Sequence, residues 1–460
     1  MSSAAARTRG DTVIRGATLI SDGARSEQDV LIRGERIEQV GGSPRTRGAV
    51  TEIEAEGKWL LPGLIDDQVH FREPGHAQKG DIATESAAAV AGGITSFMDM
   101  PNVSPATVTR QRLAAKYSAA KDRAWGNYAF YLGATESNLQ EIQALKGSET
   151  CGVKVFMGPS TGDLLVESPK ALERIFANCP VLIATHCEDR PRIDEKLARA
   201  KETYGGKIPA AAHAEIRDAE CCYRSSSLAV SLARKHGAKL HVLHLTTAKE
   251  LELFDRPEDL GSAGSITAEV CVHHLWFDDG DYERLGHRIK CNPSIKSGAD
   301  RDALRQALGD GRISVIATDH APHTAEEKSA DYLDAPAGLP LVQHSLLMLI
   351  DLARAGHFSV ERAVEAACHA PARLYGIAER GYLREGYYAD CVLVDPQDGQ
   401  QVDRQSLLYK CGWSPLEGHR FQASIDATFV NGAMVWAHGS LAGLPAGQPL
   451  ICNDHSRADS

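Results

Sequence analysis

The stretch LLPGLIDDQVHFRE, residues 60–73, opens as a short apolar run and closes on Gln68, His70, Arg72 and Glu73. Seven further apolar runs follow: Ile94–Met100, Tyr128–Leu132, Gly152–Met157, Val181–His186, Lys239–Leu245, Ile266–Val272 and Ile313–Asp319. Between them lie longer stretches rich in Ala, Leu, Glu and Arg, such as Ile82–Ala91, Ala219–Lys235 and Arg301–Leu308, which read as helices. Alternation of this kind implies βαβ units and a parallel sheet covered on both faces. Eight such units predict an α/β fold of the (β/α)₈ TIM-like barrel type, spanning residues 61–375. A doubly wound sheet is the competing topology, but no G-x-G-x-x-G follows the first strand.

The two ends of the chain have a different texture. Thr12–Ile14, Asp29–Ile32 and Ile37–Val40 near the start read as short strands separated by turns, and so do Ala389–Val394 and Ala427–Val430 near the end. Asn431-Gly432 supplies a hairpin turn before Met434-Val435-Trp436. Segments 1–60 and 376–460 are therefore expected to build one small β-sandwich together, with an irregular tail after Leu441.

Bulk composition excludes several functions. The 460 residues carry a net charge of −11, which gives no electrostatic footprint for nucleic acid and no polybasic membrane surface. No apolar stretch reaches 18 residues, and MSSAAARTRG has no apolar signal-peptide core. The cysteines number 11, show no CxxC spacing and sit mostly in apolar runs. Buried free thiols in a reducing compartment, the cytoplasm, are the expectation.

The polar residues cluster at the ends of the apolar runs. In a parallel barrel those ends share one rim, so His70, Asp99, Asn102, Lys154, His186, His244, Asp319 and His323 converge although they are far apart in sequence. Each has a duller explanation alone: a core histidine, a helix N-cap at Asp319, a buried ion pair at Lys154. Three His, one Asp and one Lys at the ends of distinct strands together match the ligand chemistry of a divalent metal. His241, His273, His274 and His320 carry no such signal and read as structural.

Pro62-Gly63-Leu64-Ile65-Asp66, His70-Phe71-Arg72-Glu73-Pro74-Gly75, Met100-Pro101-Asn102, Lys154-Val155-Phe156-Met157 and Asp319-His320-Ala321-Pro322-His323 resemble the amidohydrolase superfamily. Within it, residues 11 to 440 or so are similar to the dihydroorotases. The resemblance implies a barrel with a terminal β-sandwich and a centre of one or two Zn2+ ions. Its implied ligands are His70, Lys154, His186, His244 and Asp319, with Lys154 carboxylated by carbon dioxide so that its carbamate bridges the ions. Gln68 departs from the pattern, standing where the first His of an H-x-H motif is expected. A glutamine carbonyl is a weaker zinc ligand than imidazole. The position served by Gln68, His70, Lys154 and Asp319 is therefore expected to hold its ion less firmly than the one served by Lys154, His186 and His244.

The resemblance also implies a reaction: reversible closure of N-carbamoyl-L-aspartate to L-dihydroorotate and water, a step of pyrimidine (UMP) biosynthesis. A hydroxide on the metal attacks, and Asp319 moves its proton. Substrate contacts carried over from the family fall on His70, Arg72, Asn102, Asn292, His323, Ala337 and Gly338. A substrate carboxylate calls for a bidentate cation, the role expected of Arg72, where allantoinases usually carry Asn. The competing activities are an allantoinase-like cyclic amidohydrolase and, given Gln68, a non-catalytic partner of aspartate carbamoyltransferase. A homo-oligomer, a dimer in the simplest case, is the expected assembly. The polar stretch Ala325–Pro336 reads as a mobile rim loop or an ordinary exposed connection.

Overall fold

The computed structural model describes residues 10–159 and 164–452. Eight parallel strands form the barrel: β1 (Leu64–Val69), β2 (Ile94–Asp99), β3 (Asn127–Phe130, resumed at Leu132–Gly133), β4 (Val153–Phe156), β5 (Ile183–His186), β6 (Leu240–Val242), β7 (Ile266–Cys271) and β8 (Val315–Ala317). Each of the eight apolar runs contributes one strand. The ring closes where Val69 bridges His320 and His70 N donates to His320 O at 2.7 Å. The strands are buried almost throughout because helices cover their outer faces. Helix Ala219–His236 shows how the sequence sets its limits: the Asp218 side chain accepts from Cys221 N, and Gly237 ends it in the left-handed conformation.

Both ends of the chain enter one nine-stranded sheet. Its seam is antiparallel, with Leu60 opposite Leu393 and Leu61 opposite Val392. Thus the expected sandwich is realised as one continuous sheet, with Leu19, Leu60, Leu393 and Phe429 in its core. The hairpin over Asn431-Gly432 has both residues at positive φ, 49° and 69°. A Cβ on Gly432 would stand 2.0 Å from Gly34 O, so glycine is required there for space as well as for conformation. Residues 442–452 contain no helix or strand, although Leu450 and Cys452 are buried beneath the barrel and Tyr128 N donates to Gln448 O at 3.0 Å. The last eight residues of the tail lie outside the described residues. All 11 cysteines are free thiols, and no helix among the described residues is long and apolar enough to cross a membrane.

Sheet and barrel are tied together at Asp390. This buried carboxylate pairs with buried Arg380 and accepts from Asn431 N at 2.7 Å and from Asn127 Nδ2 at 3.1 Å. Removing one partner of a buried ion pair leaves an uncompensated charge, which costs about 3–5 kcal/mol. Arg380→Leu should therefore lower the unfolding free energy measured by urea denaturation by an amount in that range, and the midpoint with it. A midpoint unchanged from wild type would show that Asp390 is satisfied by its neutral donors alone.

Candidate metal centre and substrate cleft

A cleft of about 380 Å³ opens at the C-terminal ends of the barrel strands. Five of its lining residues are the sequence-derived ligands. His70 follows β1, Lys154 lies within β4, His186 ends β5, His244 stands two residues past β6 and Asp319 two residues past β8. Alternation along the strands and their shared direction bring these side chains to one place. Gln68, Arg72, Asn102, Asn292, Ala337 and Gly338 line the same cleft, with Phe156 and Ala321. His244, Asp319 and Arg72 have positive φ (40°, 44° and 67°), a conformation uncommon outside glycine that clusters at functional sites.

Two imidazoles face each other. His186 Nδ1 lies 3.1 Å from His244 Nε2, with the rings edge to face. Glu188 Oε2, 3.0 Å from His186 Nε2, accepts a hydrogen bond from that N–H and leaves Nδ1 with a lone pair. Arg217 pairs with Glu188 from behind. Burial pushes both histidines below their ordinary pKa, His244 strongly, so both are neutral and able to ligate. Lys154 is 1% exposed, and its Nζ lies 4.8 Å from the centre of the Phe156 ring. Burial brings its pKa down to about 8 against the pull of Asp319 and Glu269, which increases the share of neutral amine able to attack carbon dioxide.

Asp319 is held by two neighbours. His70 Nε2 lies 3.1 Å from Oδ1, and Gln68 Nε2 donates to the same oxygen at 3.2 Å. Burial raises the carboxyl, but the His70 hydrogen bond and charge outweigh it and keep the pKa below the usual value. Gln68 thus turns its amide N–H₂ toward Asp319, while its carbonyl oxygen lies 3.9 Å from Cys271 Sγ.

On the substrate side, Arg72 Nε donates to Pro322 O at 3.0 Å, and Nη2 lies 2.9 Å from His323 Nε2. Arg72 makes no ion pair among the described residues, and burial lowers it only to about 10, so it keeps its charge. His323 does not line the cleft. Its ring stands behind Arg72, with Nε2 3.0 Å from Ala337 O and Nδ1 3.1 Å from Lys79 Nζ, so the expected direct contact becomes a supporting one. Gly338, at φ 142°, could not carry a Cβ, which would stand 2.4 Å from Ala321 O. Stretch 325–336 is fastened to this wall. Thr324 caps a short helix, and buried Lys328 donates to Lys290 O, Pro336 O and Gly338 O at 2.9–3.0 Å. Lys290 in turn donates to Tyr332 O and Ala335 O. These bonds run against a mobile reading of that segment.

Sequence reasoning missed Glu188, Arg217, Lys79 and the two fastening lysines. Glu188 is two residues past His186 and could have been found as a carboxylate placed to orient that imidazole. The partners of the others are backbone carbonyls or distant residues that leave no local pattern. Of the histidines read as structural, His320 Nε2 lies 2.8 Å from Glu85 and its Nδ1 accepts from Leu341 N.

Residues 59–435 match the amidohydrolase family. The chain is 34% identical to a dihydroorotase of Halobacterium salinarum over 432 residues, covering 92% of this chain and 96% of that protein. It is 31% identical to an allantoinase of Solibacter usitatus over 453 residues, covering 96% of each. In structure it is similar to an L-hydantoinase (dihydropyrimidinase) from Arthrobacter aurescens, with a TM-score of 0.89, 26% identity, and coverage of 96% of this chain and all of the other. The chain belongs to the amidohydrolase family. More particularly, it is a metal-dependent cyclic amidohydrolase.

Proposed function

We propose that the protein is a dihydroorotase that interconverts N-carbamoyl-L-aspartate and L-dihydroorotate in the cytoplasm. The observation that carries this reading is Arg72: a buried, charged guanidinium with no carboxylate partner among the described residues, lining the cleft beside the ligand set. A buried cation of this kind calls for an anion, and dihydroorotate brings a carboxylate whereas allantoin and hydantoins do not. Lys79 and His323 behind Arg72 hold it at the mouth, and Asn102 and Asn292 offer amide groups to the ring.

The donor set fits zinc. Two neutral imidazole nitrogens 3.1 Å apart, a Lys154 whose pKa burial lowers to about 8 and an ionised Asp319 make a borderline N/O environment, and Glu188 orients His186 as an outer partner. His186, His244 and carboxylated Lys154 would hold one ion, and His70, Asp319 and Lys154 a second. A bound divalent ion supplies a lowered pKa for its water and polarises the amide carbonyl. Asp319, ionised and steadied by His70 and Gln68, takes a proton from the attacking water. It returns that proton to the ring nitrogen as the C–N bond opens, and the reverse order closes the ring. Gly338 and Ala337 form the wall against which the ring lies, fixed by Lys328.

Side-by-side turnover of carbamoyl-aspartate, allantoin and hydantoin by the pure protein, with metal content measured on the same sample, tests the assignment. Carbamoyl-aspartate should be the preferred substrate by at least two orders of magnitude. Preference for allantoin would replace the assignment with the activity of the second relative. Metal-free, inactive protein that zinc does not restore would favour a scaffold for aspartate carbamoyltransferase.

Gln68 gives a separate expectation. With its amide N–H₂ on Asp319, it contributes no imidazole, so chelator titration should reveal one tight and one weaker zinc. Gln68→His should tighten the weaker ion by about 10-fold or more, by analogy with the 10–100-fold effects of supporting residues around metals. Two equally tight ions in the wild type would show that the glutamine completes the site.

A further inference from the structure

Below the cleft, Asp67, His241 and Glu269 turn toward one another from β1, β6 and β7. All three are fully buried, and one oxygen or nitrogen of each lies within 4.8 Å of the other two. His241 Nε2 is 3.2 Å from Asp67 Oδ2 and 3.7 Å from Glu269 Oε2. Neither approach has hydrogen-bond alignment: His241 Nε2, Asp67 Oδ1 and Glu269 Oε2 have no hydrogen-bond partner among the described residues.

The tautomer of His241 follows from its other side. Thr267 Oγ1 donates to Leu240 O at 3.3 Å, so it accepts from His241 Nδ1, 2.7 Å away. Nδ1 carries a proton, and Nε2 faces two carboxyl groups without an aligned partner. The remaining acceptor oxygens are fixed from outside: Tyr375 OH donates to Asp67 Oδ2 at 2.7 Å, and His244 N donates to Glu269 Oε1 at 2.9 Å. Nε2 and two carboxyl oxygens therefore converge in a fully buried place, and such an arrangement is costly unless a proton or a metal cation joins it.

We propose that Asp67, His241 and Glu269 form a further metal site, holding one divalent ion of the borderline class, such as zinc, inside the barrel. One imidazole and two carboxylates neutralise a dication, and a bidentate Asp67 would bring the set to four donor atoms. Thr267 and Tyr375 orient the ligands as outer partners do. The site shares no ligand with the centre above it and does not depend on which substrate the enzyme turns over. Its role is structural, pinning β1, β6 and β7 beneath the residues that do the chemistry. With no ligand exposed, the ion enters as the chain folds and leaves only as it opens.

The competitor for Nε2 is a proton. Burial lowers the pKa of His241, but the two carboxylates outweigh it and bring it up to about 9. Crystals of the intact protein, grown after expression in zinc-supplemented medium, distinguish the two when data are collected on both sides of the zinc absorption edge. The expected result is an anomalous peak enclosed by Asp67, His241 and Glu269, separate from any among Lys154, His186 and His244. Anomalous density at the upper centre alone would overturn the proposal. Elemental analysis of the folded fraction gives a second reading, in which His241→Asn and Glu269→Gln each lose one equivalent of metal relative to wild type. Unchanged stoichiometry in both would also overturn it. If neither variant folds, the wild-type anomalous map still decides.

Discussion

Lys154→Ala should purify with its metal depleted and its carbamoyl-aspartate cyclisation reduced by about three orders of magnitude or more, the scale expected when an ion and its activated water are lost. The lysine lines the cleft with the two imidazoles and the Asp319 carboxylate, and in the proposed centre it is the one ligand that both ion positions would share. Without it the firmer position keeps only His186 and His244. A short carboxylic acid such as acetate or propionate should restore part of both metal and rate by occupying the space of the carbamate. Full metal content and full rate in Lys154→Ala would remove the carbamate from the reading. Metal retained with activity lost would limit the lysine to orienting the substrate.

Arg72→Met should cost about 10²- to 10³-fold in kcat/KM with metal content unchanged. Truncating one partner of a buried charge pair costs about 2–5 kcal/mol, and 1.4 kcal/mol is a factor of ten. Methionine keeps much of the length and apolar volume, so the effect isolates the charge and the planar donor geometry. Arg72→Lys should recover only a small part, because an ammonium cannot bind a carboxylate in the two-pronged manner of a guanidinium. Near-normal efficiency in Arg72→Met would separate this residue from the substrate and leave the activity on neutral rings as the better reading.

The barrel was legible because its signals are local. Each strand is a short apolar run, each is followed by helix-forming sequence, and the rim residues stand at the run ends where strand geometry must place them. His186, His244 and Asp319 could be found on that ground alone. What escaped was set by pairing across the fold. Arg217 acts only through Glu188, which it meets from a different segment. Lys328 lies in the stretch read only as polar and Lys290 carried no reading at all, yet both bury their ammonium groups among backbone carbonyls, which sequence cannot display. His241 read as an ordinary core histidine inside an apolar strand, because the carboxylates that face it come from β1 and β7. Gln68 was visible as a departure, but the direction in which its amide points was not.

The seam between Trp59–Pro62 and Cys391–Asp395 has a consequence for how the molecule is made. The first of these strands leaves the ribosome early, and its partner emerges only after the whole barrel has been synthesised. Throughout that interval the nascent chain carries an unpaired strand edge built from Leu60 and Leu61, the kind of edge that pairs with other chains when left open. Contacts this distant in sequence are slow to form, since the loop between them must be closed first. Translation that stops short of residue 395 would therefore release a barrel with an open margin, prone to associate with its neighbours. The edge is sealed only once residues 391–395 have been made.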